Sequence, residues 1–174
     1  MVDDAIRAEF DRLAQERTDA TLILDLCKEG DFGEALAIAD RALATDMRGG
    51  LGYYYRFLVL KAMGKPGEAE HALDEMTRVS RLPEHAFNIR ADFYYGRGRY
   101  EEACADFTRS LAADEHGFFR YINYLHRADC HYRLGREDLA RADLEQVPDD
   151  FDWPEFRGRL WGSKKDLLAA MERE

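Results

Sequence analysis

Cysteine is sparse in this chain: Cys27, Cys104 and Cys130 are widely spaced, and no CxxC occurs. An odd, scattered set of thiols suits a reducing compartment better than a disulfide scaffold. Basic charge is also short. Lys and Arg number 25 against 35 Asp and Glu, a formal net charge of −10 at pH 7. That balance argues against a nucleic-acid backbone or an anionic membrane surface as ligand, since phosphate binding needs a cationic surplus. It leaves open a neutral or basic protein partner. No apolar run approaches the ~20 residues of a membrane span. The opening MVDDAIRAEFDRLAQER is acidic at once and has no apolar core of a secretory signal. The expectation is a cytoplasmic protein. There is no GxSxG, P-loop, HExxH or Gly-rich dinucleotide turn, so catalysis finds no motif to rest on.

What the chain does have is ordinary globular composition and a period. Hydrophobic residues at 46% and charged residues at 34% disfavour disorder. At 174 residues the chain suits one domain with a continuous core. A glycine followed five residues later by alanine recurs at Gly30/Ala35, Gly64/Ala69, Gly98/Ala103 and Gly135/Ala140. The glycine intervals are 64−30=34, 98−64=34 and 135−98=37. Four helix–turn–helix units at this period predict an all-α, right-handed α-solenoid.

The units span 16–49, 50–83, 84–120 and 121–150. In the first, helix Ala20 to Glu29 turns at Gly30 into helix Glu34 to Thr45. A joint at Arg48-Gly49-Gly50-Leu51-Gly52 leads to Tyr53–Met63, a turn, and Glu68–Val79. Pro66 sits where a missing N–H does little harm, and the residues before Pro83 are biased extended. The three surplus residues of the last interval fall in Asp114 to Gly117 or in a turn through Phe118 and Phe119. The fourth unit runs to Val147, where Pro148 stops it. Residues 1–15 predict a helix with a stripe of Ile6, Phe10 and Leu13 that covers one end. The aromatic segment 151–162, with Phe151, Trp153, Phe156 and Trp161, precedes a last helix. Ser163 and Asp166 open it in a capping box, and Leu167, Leu168 and Met171 make it a terminal cap.

Aligned in register, the units resemble the tetratricopeptide repeat family over roughly residues 16 to 150. The small residue of the second helix is Ala35, Ala69, Ala103 and Ala140; the residue four on is Ala39, Leu73, Phe107 and Leu144. Tyr53, Phe87 and Tyr124 open first helices, with Asp19 the exception, and Leu26, Leu60, Tyr94 and His131 follow seven later. The unit-ending proline of the family is absent, its places holding Met47, Arg81, Glu115 and Asp152. Where the family often has leucine, this chain has Arg56, Arg90 and Arg127. Arg90 and Arg127 each precede an aspartate by sixteen residues, Asp106 and Asp143, which predicts a salt bridge inside units three and four. Arg56 has Ala72 at that place and needs another partner.

The resemblance implies a ligand groove lined by first helices. Its stripes here are Arg17, Ala20, Leu24, Cys27; Leu51, Tyr54, Leu58, Lys61; His85, Asn88, Asp92, Tyr95; and Ile122, Leu125, Asp129, Tyr132. From these, Leu51, Tyr54, Leu58, Lys61, Asn88, Asp92, Tyr95, Leu125, Asp129 and Tyr132 are the expected peptide- or protein-binding residues. The stripes lack the Lys/Asn pattern with which some relatives clamp a peptide's terminal carboxylates. An apolar segment with a basic group fits better. The implied function is a non-catalytic interaction module, an adaptor or small chaperone, with no cofactor; a second copy could also close the groove. An acidic inhibitor or immunity-type protein that meets a basic partner through its outer face is the alternative. A metal-dependent enzyme at His126 and Cys130 is a third reading. Those two stand four apart on one helix beside Asp129, yet a helical pair is half of a tetrahedral site, and His131 occupies a packing position.

Overall fold

The computed structural model describes residues 19–45, 50–151 and 163–172, and among them it is all-helical with no β-strand. The expected helix over 1–15, Arg17, Met47 and the aromatics Trp153, Phe156 and Trp161 lie outside the described residues. The chain divides into two compact units between Arg81 and Leu82. The first holds α1 (19–29), α2 (Phe32–Thr45), α3 (Leu51–Ala62) and α4 (Pro66–Val79). The second holds α5 (Pro83–Tyr95), α6 (Tyr100–Ala113), α7 (Arg120–Arg133), α8 (Glu137–Leu144) and α9 (Lys164–Met171).

The periodic glycines make one turn four times. Gly30, Gly64, Gly98 and Gly135 have φ of +84°, +69°, +71° and +71°. This left-handed region penalises any side chain with a Cβ. In each turn the next residue's N–H reaches five residues back: Asp31 to Leu26, Lys65 to Leu60, Arg99 to Tyr94 and Arg136 to His131, at 2.8–3.1 Å. The glycine's own N–H bonds the carbonyl three residues back. Together these bonds satisfy carbonyls that the ending helix leaves without partners. The alanine five residues on is fully buried in all four hairpins. Its small side chain lets the two helices approach, and Leu73, Phe107 and Leu144 beside it are buried in turn.

In the first unit, Ile23 and Leu26 of α1, Ala35, Ile38 and Ala39 of α2, and Tyr55 and Val59 of α3 form one core cluster. Gly52 brings α3 against α2 so closely that a Cβ there would stand 2.5 Å from the Leu43 backbone nitrogen. On α4, Ala69, Ala72, Leu73 and Met76 form the buried face, at the i, i+3, i+4, i+7 spacing of an amphipathic helix.

Three residues link α4 to α5 and six link α6 to α7, from 80–82 and 114–119. The difference, 6−3=3, is the surplus of the longer repeat. Asp114 orders the longer link by accepting from the N–H of Phe118 (2.9 Å) and of Phe119 (2.7 Å). α8 stops at Leu144, short of the expected Val147. The residue before a proline is pushed out of the helical region, and Pro148 supplies no N–H. Val147 instead turns inward, 2% exposed, and Lys164 of α9 donates to its carbonyl at 3.0 Å. The Ser163 hydroxyl caps α9 by accepting from the Asp166 N–H at 3.2 Å. Leu167 and Met171 then close a core with Leu125, Ala128, Ala140 and Leu144. No described helix is long and apolar enough to cross a membrane.

Candidate functional site

Two of the arginines that depart from the repeat pattern, Arg90 and Arg127, tie their own hairpins together. Arg90 donates from Nε (2.6 Å) and Nη2 (3.0 Å) to the two oxygens of Asp106. Arg127 does the same to Asp143, at 2.8 and 2.6 Å. Each pair spans one hairpin, and both acids are buried. The hydrogen bond to Asp143, ahead of the attraction between the charges, raises the Arg127 pKa against desolvation. Their guanidinium groups also lie over first-helix aromatics, Arg90 over Phe87 and Tyr94 and Arg127 over Tyr124. Arg56, facing Ala72, turns the other way to Asp40, sixteen residues earlier on α2, at 3.0 and 2.7 Å.

The first-helix stripe of the first unit keeps a partly open face. Leu51, Tyr54 and Leu58 pack their inner edges on the core while remaining partly accessible, and Lys61 is exposed. Tyr54 lies 6.1 Å from Tyr55 and 6.3 Å from Phe57 between ring centroids, and Lys61 sits over the Phe57 ring. Partial burial raises the Tyr54 pKa, keeping the phenol neutral. Four side chains of a single helix thus offer apolar surface ending in a cation.

The corresponding stripes of the second unit are mostly turned inward. Leu125 is fully buried, and Asn88 is buried with its amide donating to Asn123 at 2.6 Å. Asn123 in turn donates to Ser110 (2.7 Å), whose hydroxyl donates to the Glu84 carbonyl (2.6 Å). This chain ties α5, α6 and α7 together. Tyr95 and Asp129 are also buried; the phenol hydroxyl donates to the Asp129 carboxylate, and Arg133 donates to Tyr95 Oη at 2.9 Å and to Asp129 at 3.1 Å. The Asp129 carboxylate, expected among the binding residues, is therefore paired inside the fold. Asp92 and Tyr132 are half-buried and remain accessible, Tyr132 donating a 3.4 Å bond to the Ala170 carbonyl of α9. Asn123 and Ser110 carry no signal in the sequence, because a polar network between helices leaves no apolar period.

His126 and Cys130 share one face of α7 in the interior. Desolvation lowers the His126 pKa to about 3, so the ring is neutral, packed edge-on to Phe107 with Nδ1 3.7 Å from Asp92. Burial raises the thiol pKa of Cys130 and of Cys104, the latter 3.5 Å from His131 Nε2. A thiol nucleophile needs the opposite shift. Among the described residues no three His, Cys, Asp or Glu side chains gather as metal ligands.

Hairpins repeated at this period, with a glycine turn and a buried alanine contact, define the α-solenoid class of helical-repeat proteins. Residues 54–117 match the family model of the tetratricopeptide repeat. The crystal structure of MamA is similar, with a TM-score of 0.55 at 16% identity over 70% of each chain. At that identity the likeness is one of fold. No curated protein matches the chain.

Proposed function

We propose that the chain is a non-catalytic interaction module that binds a peptide or protein segment on its first helices, as an adaptor or small chaperone. The observation that carries this reading is the α3 stripe. Leu51, Tyr54 and Leu58 stay partly accessible beside exposed Lys61, where a helix serving only the core would bury or replace them. In the second unit, taken by itself, Asp92 and Tyr132 are the accessible first-helix positions. Asn88, Tyr95, Leu125 and Asp129 act beneath them as the frame that holds α5 and α7 in place. Aromatic and aliphatic anchors with a charge at the edge suit an apolar segment with polar flanks. The raised thiol pKa values and the neutral buried imidazole argue against the enzyme reading at His126 and Cys130.

Selection of displayed peptides on the wild-type protein tests the reading. Peptides should emerge that bind wild type and lose at least about ten-fold in affinity to Leu58→Glu, as expected when a charge enters an apolar contact. Selected peptides that bind Leu58→Glu undiminished, with its helicity intact, would place the site elsewhere.

A further inference from the structure

A cleft of about 560 Å³ opens between α3 and α4. Its walls include Tyr53, Arg56, Leu60, His71 and Ala72. The repeat register explains why it exists. In the third and fourth hairpins the position three residues after the packing alanine is Asp106 or Asp143, and that carboxylate sits on the hairpin's own arginine. In the second hairpin that position is Ala72, whose methyl ends far short of a carboxylate. The space that an aspartate occupies elsewhere is left open, and Arg56 stands at its edge with its side chain 42% exposed.

We propose that this cleft is a binding site for an aspartate or glutamate side chain of a protein segment, received by Arg56. The fold itself shows the chemistry twice, with carboxylates seated on equivalent guanidinium groups. Both Arg56 bonds to Asp40 go to the single oxygen Oδ1, which leaves Nη1 without a hydrogen bond among the described residues. A guanidinium carries five donors in a planar fork, so it can hold Asp40 on one edge and a second carboxylate on another. Acidic residues on the rim do not repel the ligand unopposed: Glu68 pairs with Lys65 at 3.0 Å and Glu75 with Arg78 at 2.6 Å. Tyr53 and Leu60 give the cleft apolar walls, and its volume suits a side chain with a flanking residue rather than a lone anion. The site uses positions of α3 other than Leu51, Tyr54, Leu58 and Lys61, so it stands or falls separately from the function proposed above.

The test is an NMR titration of the full chain with a capped five-residue peptide, a central aspartate between two phenylalanines, and with its asparagine twin. The expected result is saturable shifts at the Ala72 methyl and the Arg56 Nε–H. The aspartate peptide should bind about ten-fold more tightly than the asparagine peptide, the worth of one charge-assisted bond. Ala72→Asp should abolish the shift at the Arg56 Nε–H while keeping helicity and Tm, because its own carboxylate fills the site. Leu58→Glu should leave both wild-type shifts unchanged. Equal binding of the two peptides, no saturable shift in wild type, or full binding by Ala72→Asp overturns the proposal. So does sodium acetate giving the same saturation at the same concentration, which would assign the cleft to small anions.

Discussion

Arg56 and Asp40 form an ion pair at 2.7 Å that runs backward along the chain, whereas Arg90–Asp106 and Arg127–Asp143 run forward by the same sixteen residues. A single substitution at the forward position, Ala72, changes both the direction of the pair and its surroundings. Asp40 is 56% exposed on its side chain and Asp106 is 0%. One chemistry is thus placed in two dielectric settings within one molecule.

That contrast sets the first prediction. Asp106→Ala leaves Arg90 inside the hairpin without its carboxylate and should lower stability by about 3 kcal/mol, the scale for breaking a buried pair. Asp40→Ala removes a solvated partner and should cost under about 1 kcal/mol. Urea unfolding of both variants measures the difference; equal losses would contradict it.

The turn glycines and the contact glycine should respond differently. Gly64→Ala meets no neighbour but holds φ at +69°, and should cost about 1 kcal/mol from the left-handed backbone alone. Gly52→Ala drives a methyl into the Leu43 backbone and forces α2 from α3, for which about 2–3 kcal/mol is expected. Thermal melts of the two variants rank them, Gly52→Ala below Gly64→Ala.

His126 gives the stability a pH dependence of defined sign. Its ordinary pKa of 6.5 falls to about 3 in the fold. Between those values the unfolded chain binds a proton that the folded chain refuses, so stability is greatest above 6.5 and declines as pH falls toward 3. The slope from this group is at most about 1.4 kcal/mol per pH unit. Denaturant midpoints should drop between pH 7 and pH 5 in wild type and less in His126→Gln, a comparison that subtracts the carboxylates common to both.

Thiol chemistry checks the interior. Cys104 and Cys130 are buried with raised pKa values, while Cys27 is partly accessible. An aromatic disulfide reagent at pH 8 should therefore modify Cys27 first and reach the other two only on addition of urea. Fast native-state reaction of Cys130 would contradict the packing of α7.

The turns and the tight contacts were legible in the sequence because each rests on a residue type that nothing else replaces. Glycine reports a positive φ, a small alanine reports helices in contact, and the sixteen-residue offset from Arg90 and Arg127 reports a charge across a hairpin. The partner of Arg56 was not legible, since Asp40 belongs to the preceding hairpin and no offset within a repeat points to it. The accessible face was legible only in part. Helical spacing places Asn88, Tyr95, Leu125 and Asp129 on one side of their helices, but it does not tell a side that faces ligand from one that faces the next helix. That was decided by Asn123, Ser110 and Arg133, polar residues whose bonds depend on how α5, α6 and α7 pack.

Amide hydrogen exchange with a selected peptide bound tests the proposed function most directly. Slowed exchange in α3, over Leu51–Ala62, with α8 over Glu137–Leu144 unchanged, is the result expected of a segment held on first helices. Slowed exchange confined to the acidic second helices α4, α6 or α8 would contradict it and favour a partner bound on the outer face.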